Sequence, residues 1–499
     1  MTMDRENWPD RVYGAAQVAA LDKRVIEGQG VPGFTLMRRA AQAAFATLRL
    51  HWPAARRVVA VCGPGNNGGD GFLVARLARA AGCEVRLFFL GDRDKARGDA
   101  ARALAAFEDA GGVCEPFEGE LPDADVVVDA LLGTGLGRPV EGRFRDAVAA
   151  IDTARGRGAG VLAVDIPSGL DADRGSIWGT AVTADATPTF IGLKLGLLTG
   201  EGPGRAGAVS FHDLGAPPDV YDGAEYTARR LRHADLRAAL PPRARHAHKG
   251  GNGHVLCVGG NRGMGGAARM AGEAALRCGA GLVSVATHAD HAGAMSQARP
   301  ELMARPVAGA DDLAPLLERA TVAAVGPGLG QDDWARALWQ RMLATDLPLV
   351  VDADALNLLA GSPQARGGWV LTPHPGEAAR LLDTDTRAIQ ADRPGAVAAL
   401  ADRYDAAVVL KGAGSLVRGA RSELWICTAG NPGMAVGGMG DVLTGVVAAM
   451  LAQGLAPDTA ARIAVQLHAA AGDDAAEEGE RGLLPCDLFP ALRRAANPA

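Results

Sequence analysis

The chain has 499 residues, too long for one ordinary core, so two or three domains are expected. Its hydrophobic fraction of 48% is ordinary for a soluble globular protein, and a net charge of -6 argues against a nucleic-acid binder held by a basic face. Seven scattered cysteines with no C-x-x-C pair argue against a zinc cluster or a disulfide framework, and suit a reducing, cytoplasmic compartment.

The first stretch, "MTMDRENWPDRVYGAAQVAALDKRV", carries charges throughout and has no apolar h-region, so no signal peptide is expected. No uncharged apolar run reaches about 18 residues, so no membrane span is expected. "RVVAVCG", "EVRLFFLG", "DVVVDALLG" and "GVLAVDIPSG" then read as buried strands. Between them "GDGFLVARLARAAG" and "KARGDAARALAAFEDAGG" read as helices, with apolar residues at three- and four-residue spacing. Strands separated by helices call for parallel pairing and a doubly wound α/β sheet.

"RVVAVCG" runs into "PGNNGGDGF", a glycine-rich turn into a helix, where main-chain amides favour an anion. Asn66 and Asn67 keep it from being the dinucleotide fingerprint, and Asp70 reads equally well as a helix cap. Asp129 ends the third strand ahead of a second flexible loop, "GTGLGRPVEG". Asp165, followed by "IPSGLDAD", ends the fourth. Carboxylates at strand C-termini of an open α/β sheet converge on the crevice where ligands bind. Asn67, Asp129 and Ser168 offer the oxygens that a hard cation prefers.

In combination, "NNGGDG", "DALLGTGLGRPVEG" and "VDIPSGLDAD" resemble the motifs of the YjeF N-terminal family, the NAD(P)H-hydrate epimerases, over residues 10–215. The resemblance implies a Rossmann-like domain over 1–220. Its substrate contacts would be Asn66, Asn67, Gly68, Gly69, Asp70, Gly133, Thr134, Gly135, Leu136, Gly137, Arg138, Pro139 and Asp165. It also implies a potassium ion, K+, held by Asn67, Asp129 and Ser168. The family interconverts R and S hydrates at the carbinolamine carbon beside the ring nitrogen, so a group must shuttle protons. Asp165, at its strand end, is the expected general acid and base.

Between the halves lies "LGAPPDVYDGAEYTARRLRHADLRAALPPRARHAHKGGNG", whose prolines and dense basic residues interrupt the alternation and place a boundary near residues 215–228. His246 and His248 there have no metal-like partners and read as parts of a solvated linker. The pattern restarts with strands "HVLCVGG", "LVSVAT", "TVAAVGPGLG", "LPLVVDADAL", "GWVLTPHPGE" and "AAVVLKGAG". No fixed period relates the halves, so two different α/β domains are fused.

Two close-approach loops, "GNRGMGGAA" and "GPGLG", follow strands in this half. Asp352, Asp354 and Asn357 end another strand, and His374 and Glu377 sit in a proline-restricted loop. Lys411 and Gly412 stand where an ammonium and amides can meet phosphates. His288 and His291 read as surface residues at a helix start, and Met434 and Met439 as packing. In "GGMGDVLTG", Gly437, Gly438 and Gly440 let bare amides line a helix N-terminus, where they can hold charge on a transferring phosphoryl group. Asp441 would accept the proton of a reacting hydroxyl, unless it merely caps the helix.

These segments occur in the order of the ribokinase-like superfamily and resemble, within it, the YjeF C-terminal family, the ADP- or ATP-dependent NAD(P)H-hydrate dehydratases. The resemblance implies a ribokinase-like α/β/α domain over 228–499, with Ala267, Gly328, His374 and Asp441 lining the hydrate pocket. Lys411, Gly412, Ala413, Gly414, Ser415 and Gly440 would contact the nucleotide. Met439 and Ser415 depart from the family's frequent Ser and Thr, changing no charge. Mg2+ would enter with ADP or ATP by bridging phosphates. The fusion makes sense because the dehydratase acts on one epimer and an attached epimerase makes both repairable. The competing reading is a kinase of a hydroxymethylpyrimidine-like molecule beside a non-catalytic N-terminal binding module. The expected partners are small molecules, not nucleic acid or membrane, and the expected assembly is a homo-oligomer.

Overall fold

The computed structural model describes residues 8–92 and 97–498. Residues 1–7 of the N-terminal stretch and the first two residues of "KARGDAARALAAFEDAGG" lie outside the described residues. The chain divides into two compact units, residues 1–228 and 229–499.

The first unit runs α1 (Ala15–Lys23), α2 (Gly33–His51), β1 (Arg57–Cys62), α3 (Asn66–Ala80), β2 (Glu84–Phe89), α4 (Gly98–Asp109), β3 (Cys114–Pro116), β4 (Val126–Ala130), α5 (Gly142–Gly156), β5 (Gly160–Ala163), β6 (Ala186–Phe190) and β7 (Ala208–His212). The sheet order is β3-β2-β1-β4-β5-β6-β7, and every pairing is parallel. Helices on both faces explain the near-continuous apolar strands. Val58, Ala60, Val126 and Val128 share a core with Leu48 of α2 and Phe72 of α3. Val59, Val61 and Val127 share the other core with Val148 and Ile151 of α5. The sequence pattern did not reveal β6 and β7, because buried Thr187, Thr189 and Ser210 break their apolar runs.

The helix α3 begins at Asn66, three residues before the start that the apolar spacing suggests, so Asp70 lies inside it rather than capping it. Its glycines serve packing. A Cβ on Gly68 would lie 1.8 Å from the Gly63 carbonyl oxygen, and one on Gly71 would lie 2.4 Å from the Ala130 Cβ. The run thus lets the helix sit down on β1 and β4, a packing role beside the ligand contacts expected of it. Gly65, by contrast, has no neighbour near its missing Cβ.

The second unit runs β8 (His254–Val258), α6 (Gly265–Arg277), β9 (Leu282–Thr287), β10 (Met303–Pro306), β11 (Val322–Val325), β12 (Leu349–Val351), α7 (Ala353–Gly361), β13 (Trp369–Leu371), α8 (Pro375–Leu382), α9 (Arg393–Tyr404), β14 (Ala407–Leu410), β15 (Leu416–Arg418), β16 (Leu424–Ile426), α10 (Met439–Ala452) and α11 (Pro457–Ala475). Within its sheet, β16-β15-β14-β13-β12-β11-β8-β9-β10 are neighbours in that order. Pairings from β10 to β14 are parallel, while β14 to β16 pair antiparallel. Val255, Cys257, Val322, Ala324 and Val350 share one core with α6, α10 and α11. α10 is buried almost throughout and crosses α6 where Gly445 has no room for a Cβ, 2.0 Å from the Ala271 carbonyl oxygen. That crossing fixes where the N-terminus of α10, and with it Asp441, meets the sheet edge.

Candidate active sites

In the first unit the segments after β1, β4, β5 and β6 gather at the carboxyl edge of the sheet, where ligands of open α/β sheets bind. Asp129, at the end of β4, is fully buried. Its Oδ1 accepts from the Ser168 hydroxyl at 2.6 Å and the Leu131 N–H at 3.3 Å, and its Oδ2 from the Ser168 N–H at 2.8 Å. Burial nonetheless pushes its carboxyl up to about 6. The Asn67 amide donates to the Leu132 carbonyl at 3.0 Å, and the Ser168 hydroxyl accepts from the Leu132 N–H at 2.8 Å. Three residues chosen as cation ligands therefore meet around Leu132. The Asn67 Oδ1 is buried without a hydrogen-bond partner, and among the described residues no cationic side chain pairs with Asp129.

Gly133 stands against Asn67, its missing Cβ 3.2 Å from that of Asn67. Thr134 to Pro139 form an open loop beyond it, with Leu136 packed on the core. Asn66 is exposed at the start of α3, and Asp70 is half-buried one turn on.

Asp165 follows β5 with φ +68°, a left-handed conformation that Asp tolerates better than most residues. Its Oδ1 accepts from the Thr189 hydroxyl at 3.2 Å, from the Phe190 N–H at 3.0 Å and from the Lys194 ammonium, with which it forms an ion pair. Lys194 has no exposed surface and also donates to Thr189 Oγ1 at 3.1 Å and the Phe190 carbonyl at 3.0 Å. Asp22 on α1 and Asp70 on α3 face this pair. Burial pushes the Asp22 carboxyl up to about 6 and that of Asp70 well above the carboxylate range. Lys194 and Asp22 escaped the sequence reading. The signal for Lys194 was its isolation, since it is the one charged residue between Asp185 and Glu201.

In the second unit the glycine-rich turn delivers Asp441 to the first turn of α10, which has Gly438 (φ +100°) as its N-cap and no capping side chain. Asp441 therefore does not cap the helix. Burial pushes its carboxyl up to about 7, helped by the neighbouring carboxylates of Asp352, Asp354 and Glu377 and opposed by Lys411. Asp352, buried at the end of β12, is fixed by Lys411 Nζ at 2.8 Å and the Thr444 hydroxyl at 2.7 Å. Lys411 also lies 3.8 Å from Glu377. Burial opposes its charge, yet Asp352 and Glu377 hold its ammonium above its ordinary range. A Cβ on Gly440 would come 3.2 Å from that ammonium, so Lys411 lies directly against the first turn of α10.

Gly326, Gly328 and Gly330 all have positive φ, and a Cβ on Gly326 would collide with the Asp352 carbonyl oxygen at 1.7 Å. Gly330 donates to Asp354 at 2.8 Å, and Ala267 of α6 stands beside Gly328. His374 caps α8, with Nδ1 accepting from the Gly376 N–H at 2.9 Å, and Glu377 returns the bond to the His374 N–H at 2.8 Å. Burial lowers the His374 imidazole and raises the Glu377 carboxyl. With Nδ1 accepting, the neutral imidazole presents Nε2–H, 3.4 Å from Glu377. Asn357 is taken up by Arg380 at 2.6 Å.

Gly412, Ala413, Gly414 and Ser415 form a turn over Arg393, which is buried and donates to the carbonyls of Leu410 and Lys411 at 3.3 and 3.2 Å. Neither Arg393 nor Thr444 carried any signal in the sequence. His288 and His291 are not bare surface residues as expected. His288 stacks edge-on to Trp334 and accepts from Arg262, while His291 accepts from the Gly263 N–H at 3.2 Å, so both brace the loop ahead of α6. His246 and His248 are exposed, and Met439 is buried in the core. Among the described residues no group of three His, Cys, Asp or Glu side chains is placed to hold a metal, and no helix is long and apolar enough to cross a membrane.

Comparison with known proteins follows the same division. A family profile described as NAD(P)H-hydrate dehydratase matches residues 255–494, and one described as YjeF-related protein N-terminus matches residues 33–196. The bifunctional NAD(P)H-hydrate repair enzyme of Coxiella burnetii is 47% identical over 489 residues, covering 98% of this chain and 99% of its own. That of Escherichia coli is 43% identical over 492 residues, covering 98% and 95%. Among solved structures, a ribokinase-like superfamily protein from Enterococcus faecalis aligns with a TM-score of 0.51 at 30% identity, covering 54% of this chain and 95% of its own.

Proposed function

The chain belongs to the bifunctional NAD(P)H-hydrate repair enzymes, and on that premise we propose how its two crevices divide the work. It is an epimerase of R and S hydrates of NAD(P)H and a dehydratase that returns the S form to NAD(P)H at the expense of ADP or ATP. Residues 1–220 carry the first activity and 228–499 the second. The competing reading, a pyrimidine-alcohol kinase beside a binding module, loses its footing against relatives that match over nearly the whole length.

For dehydration the carrying observation is Asp441, half-buried beside Lys411 and Asp352 at the uncapped start of α10. Asp441 takes the proton of the hydrate's hydroxyl as that oxygen attacks the terminal phosphorus of the nucleotide, whose bond to the bridging oxygen breaks to release AMP from ADP, or ADP from ATP. The amides around Gly440, with the Lys411 ammonium behind them, hold the charge on the transferring phosphoryl group. The C–O bond then breaks with the ring nitrogen lone pair pushing, phosphate leaves, and loss of the proton from the adjacent carbon restores the dihydropyridine. Ala267, Gly328 and His374 line the hydrate side, while Lys411 to Ser415 and Gly440 face the nucleotide. Asp352 is committed to Lys411 and Thr444, so the chain offers no ready-made cage for Mg2+. Mg2+ would arrive on the phosphates, whose charge it neutralises.

Because the base must be ionised, dehydration kcat/KM is expected to rise through about pH 7 and level above it, following Asp441. A profile flat between about pH 5.5 and 8.5, with chemistry rate-limiting, would remove Asp441 from the role.

For epimerisation, Asn66 to Asp70, Gly133 to Pro139 and Asp165 bind the hydrate, and Asp165 moves the proton as hydroxyl leaves one face of the ring and returns on the other. Asn67, Asp129 and Ser168 fit K+: an orphaned amide oxygen and a buried carboxylate without a cationic partner leave negative potential that a hard cation answers. Bound there, K+ would tie the loops after β1, β4 and β5 together. Exchange of K+ for tetramethylammonium is expected to lower the melting temperature, and restoring K+ to recover it. No change would count against the site. Free cysteines, five of them buried, support a cytoplasmic setting, and we expect a homo-oligomer without nucleic-acid or membrane partners.

A further inference from the structure

We propose that Lys194 is a positioning residue for epimerisation, acting through Asp165. The inference rests on the reading of Asp165 given above. Every hydrogen bond that the Asp165 side chain makes among the described residues ends on Oδ1, from Thr189, Phe190 and Lys194. Oδ2 is left for a substrate, and the carboxylate keeps 19% of its side-chain surface exposed while Lys194 beneath it has none. Lys194 therefore cannot reach a ligand in the crevice, and whatever it does there it does through Asp165.

The backbone is built around this pair. Ile191 has φ +60°, a conformation that a β-branched residue keeps only when its surroundings overdetermine it. The His212 carbonyl accepts from the Ile191 N–H at 3.0 Å, and the Tyr221 hydroxyl donates to the Ile191 carbonyl at 2.8 Å. The reversal these bonds hold turns the Phe190 N–H onto Asp165 and the Phe190 carbonyl onto Lys194. Asp165 itself is left-handed. Two strained residues thus flank one ion pair, and strain of this kind gathers where geometry is functional.

Charge balance points the same way. The charged groups facing the pair are Asp22 on α1 and Asp70 on α3, and burial favours the neutral form of both. The Lys194 ammonium bonds to Asp165 and to neither of these two carboxyls, which fixes one Asp165 oxygen and aims the other.

A double-mutant cycle on the full chain tests this, with R-to-S exchange read by chromatography and S-hydrate dehydration as a control. Lys194→Met is expected to lower the epimerisation kcat roughly a hundredfold with KM little changed and dehydration unaffected. Asp165→Asn should be at least as slow, and Lys194→Met with Asp165→Asn no slower than Asp165→Asn alone. The double variant removes both charges of the ion pair, so it remains informative if Lys194→Met alone folds poorly. Thr189→Val, which removes one bond to each partner, should lower kcat by a smaller factor. Multiplicative losses in the double variant, or a rise in KM with kcat retained, would overturn the role of Lys194. A wild-type chain that fails to exchange the epimers, or an Asp165→Asn variant at full rate, would instead overturn the underlying assignment.

Discussion

Asp441→Asn is expected to abolish dehydration for practical purposes, with kcat down on the order of a thousandfold, while R-to-S exchange proceeds at the wild-type rate. The amide keeps the shape of the carboxylate but cannot accept the hydroxyl proton. KM for the nucleotide should change little, because Lys411, Gly440 and the 412–415 turn are untouched. Stability should move the other way. In the folded chain Asp441 titrates near 7, far above an exposed carboxylate, because burial and the carboxylates of Asp352, Asp354 and Glu377 disfavour its charge. The folded state thus holds a proton that the unfolded state has released, and stability falls as pH rises through that interval. The variant escapes this cost, so above about pH 7 it should melt higher than wild type, and below about pH 4 the difference should vanish. A melting scan across pH, beside a single-turnover assay, reads both. Full-rate dehydration by Asp441→Asn would sink the mechanism.

Gly68→Ala carries the second large effect, and it lies in stability. A methyl group there would stand 1.8 Å from the Gly63 carbonyl oxygen and 2.7 Å from its carbon, backbone atoms that no rotamer change can move. The helix α3 would have to lift from β1, at a cost of about 3 kcal/mol. For a unit of this size that corresponds to a fall of roughly 10 °C in the melting of the first unit. Gly65→Ala makes the contrast. Its added methyl meets nothing within 4 Å, so stability should stay within about 1 kcal/mol of wild type. If the glycine run served only to admit an anion, the two variants would melt alike, and that outcome would refute the packing account.

Much of the site was legible because strand ends carry it. Asp129, Asp165, Asp352 and Lys411 each follow a short β-branched run, and in a parallel sheet the carboxyl ends must share one edge. Asp441 was legible through the glycines ahead of a long apolar helix. Harder to see were β6 and β7, where buried threonine and serine interrupt the apolar pattern, and the histidines at 288 and 291, whose partners Trp334 and Gly263 are remote in sequence. The glycines of "NNGGDG" were visible but their purpose was not, since a missing Cβ means one thing beside an anion and another beside a carbonyl.

The sequence by itself determined the two-domain α/β architecture, the edge on which each crevice lies and the acids available there, because hydrophobic period and turn chemistry are local properties of the chain. Only the tertiary structure decided which groups share a proton or a charge. The pairing of Lys194 with Asp165, the claim of Thr444 and Lys411 on Asp352, and the unpartnered oxygen of Asn67 depend on residues far apart in the chain arriving within a few ångströms after packing. Burial then sets their ionisation, and burial is a property of the folded protein alone.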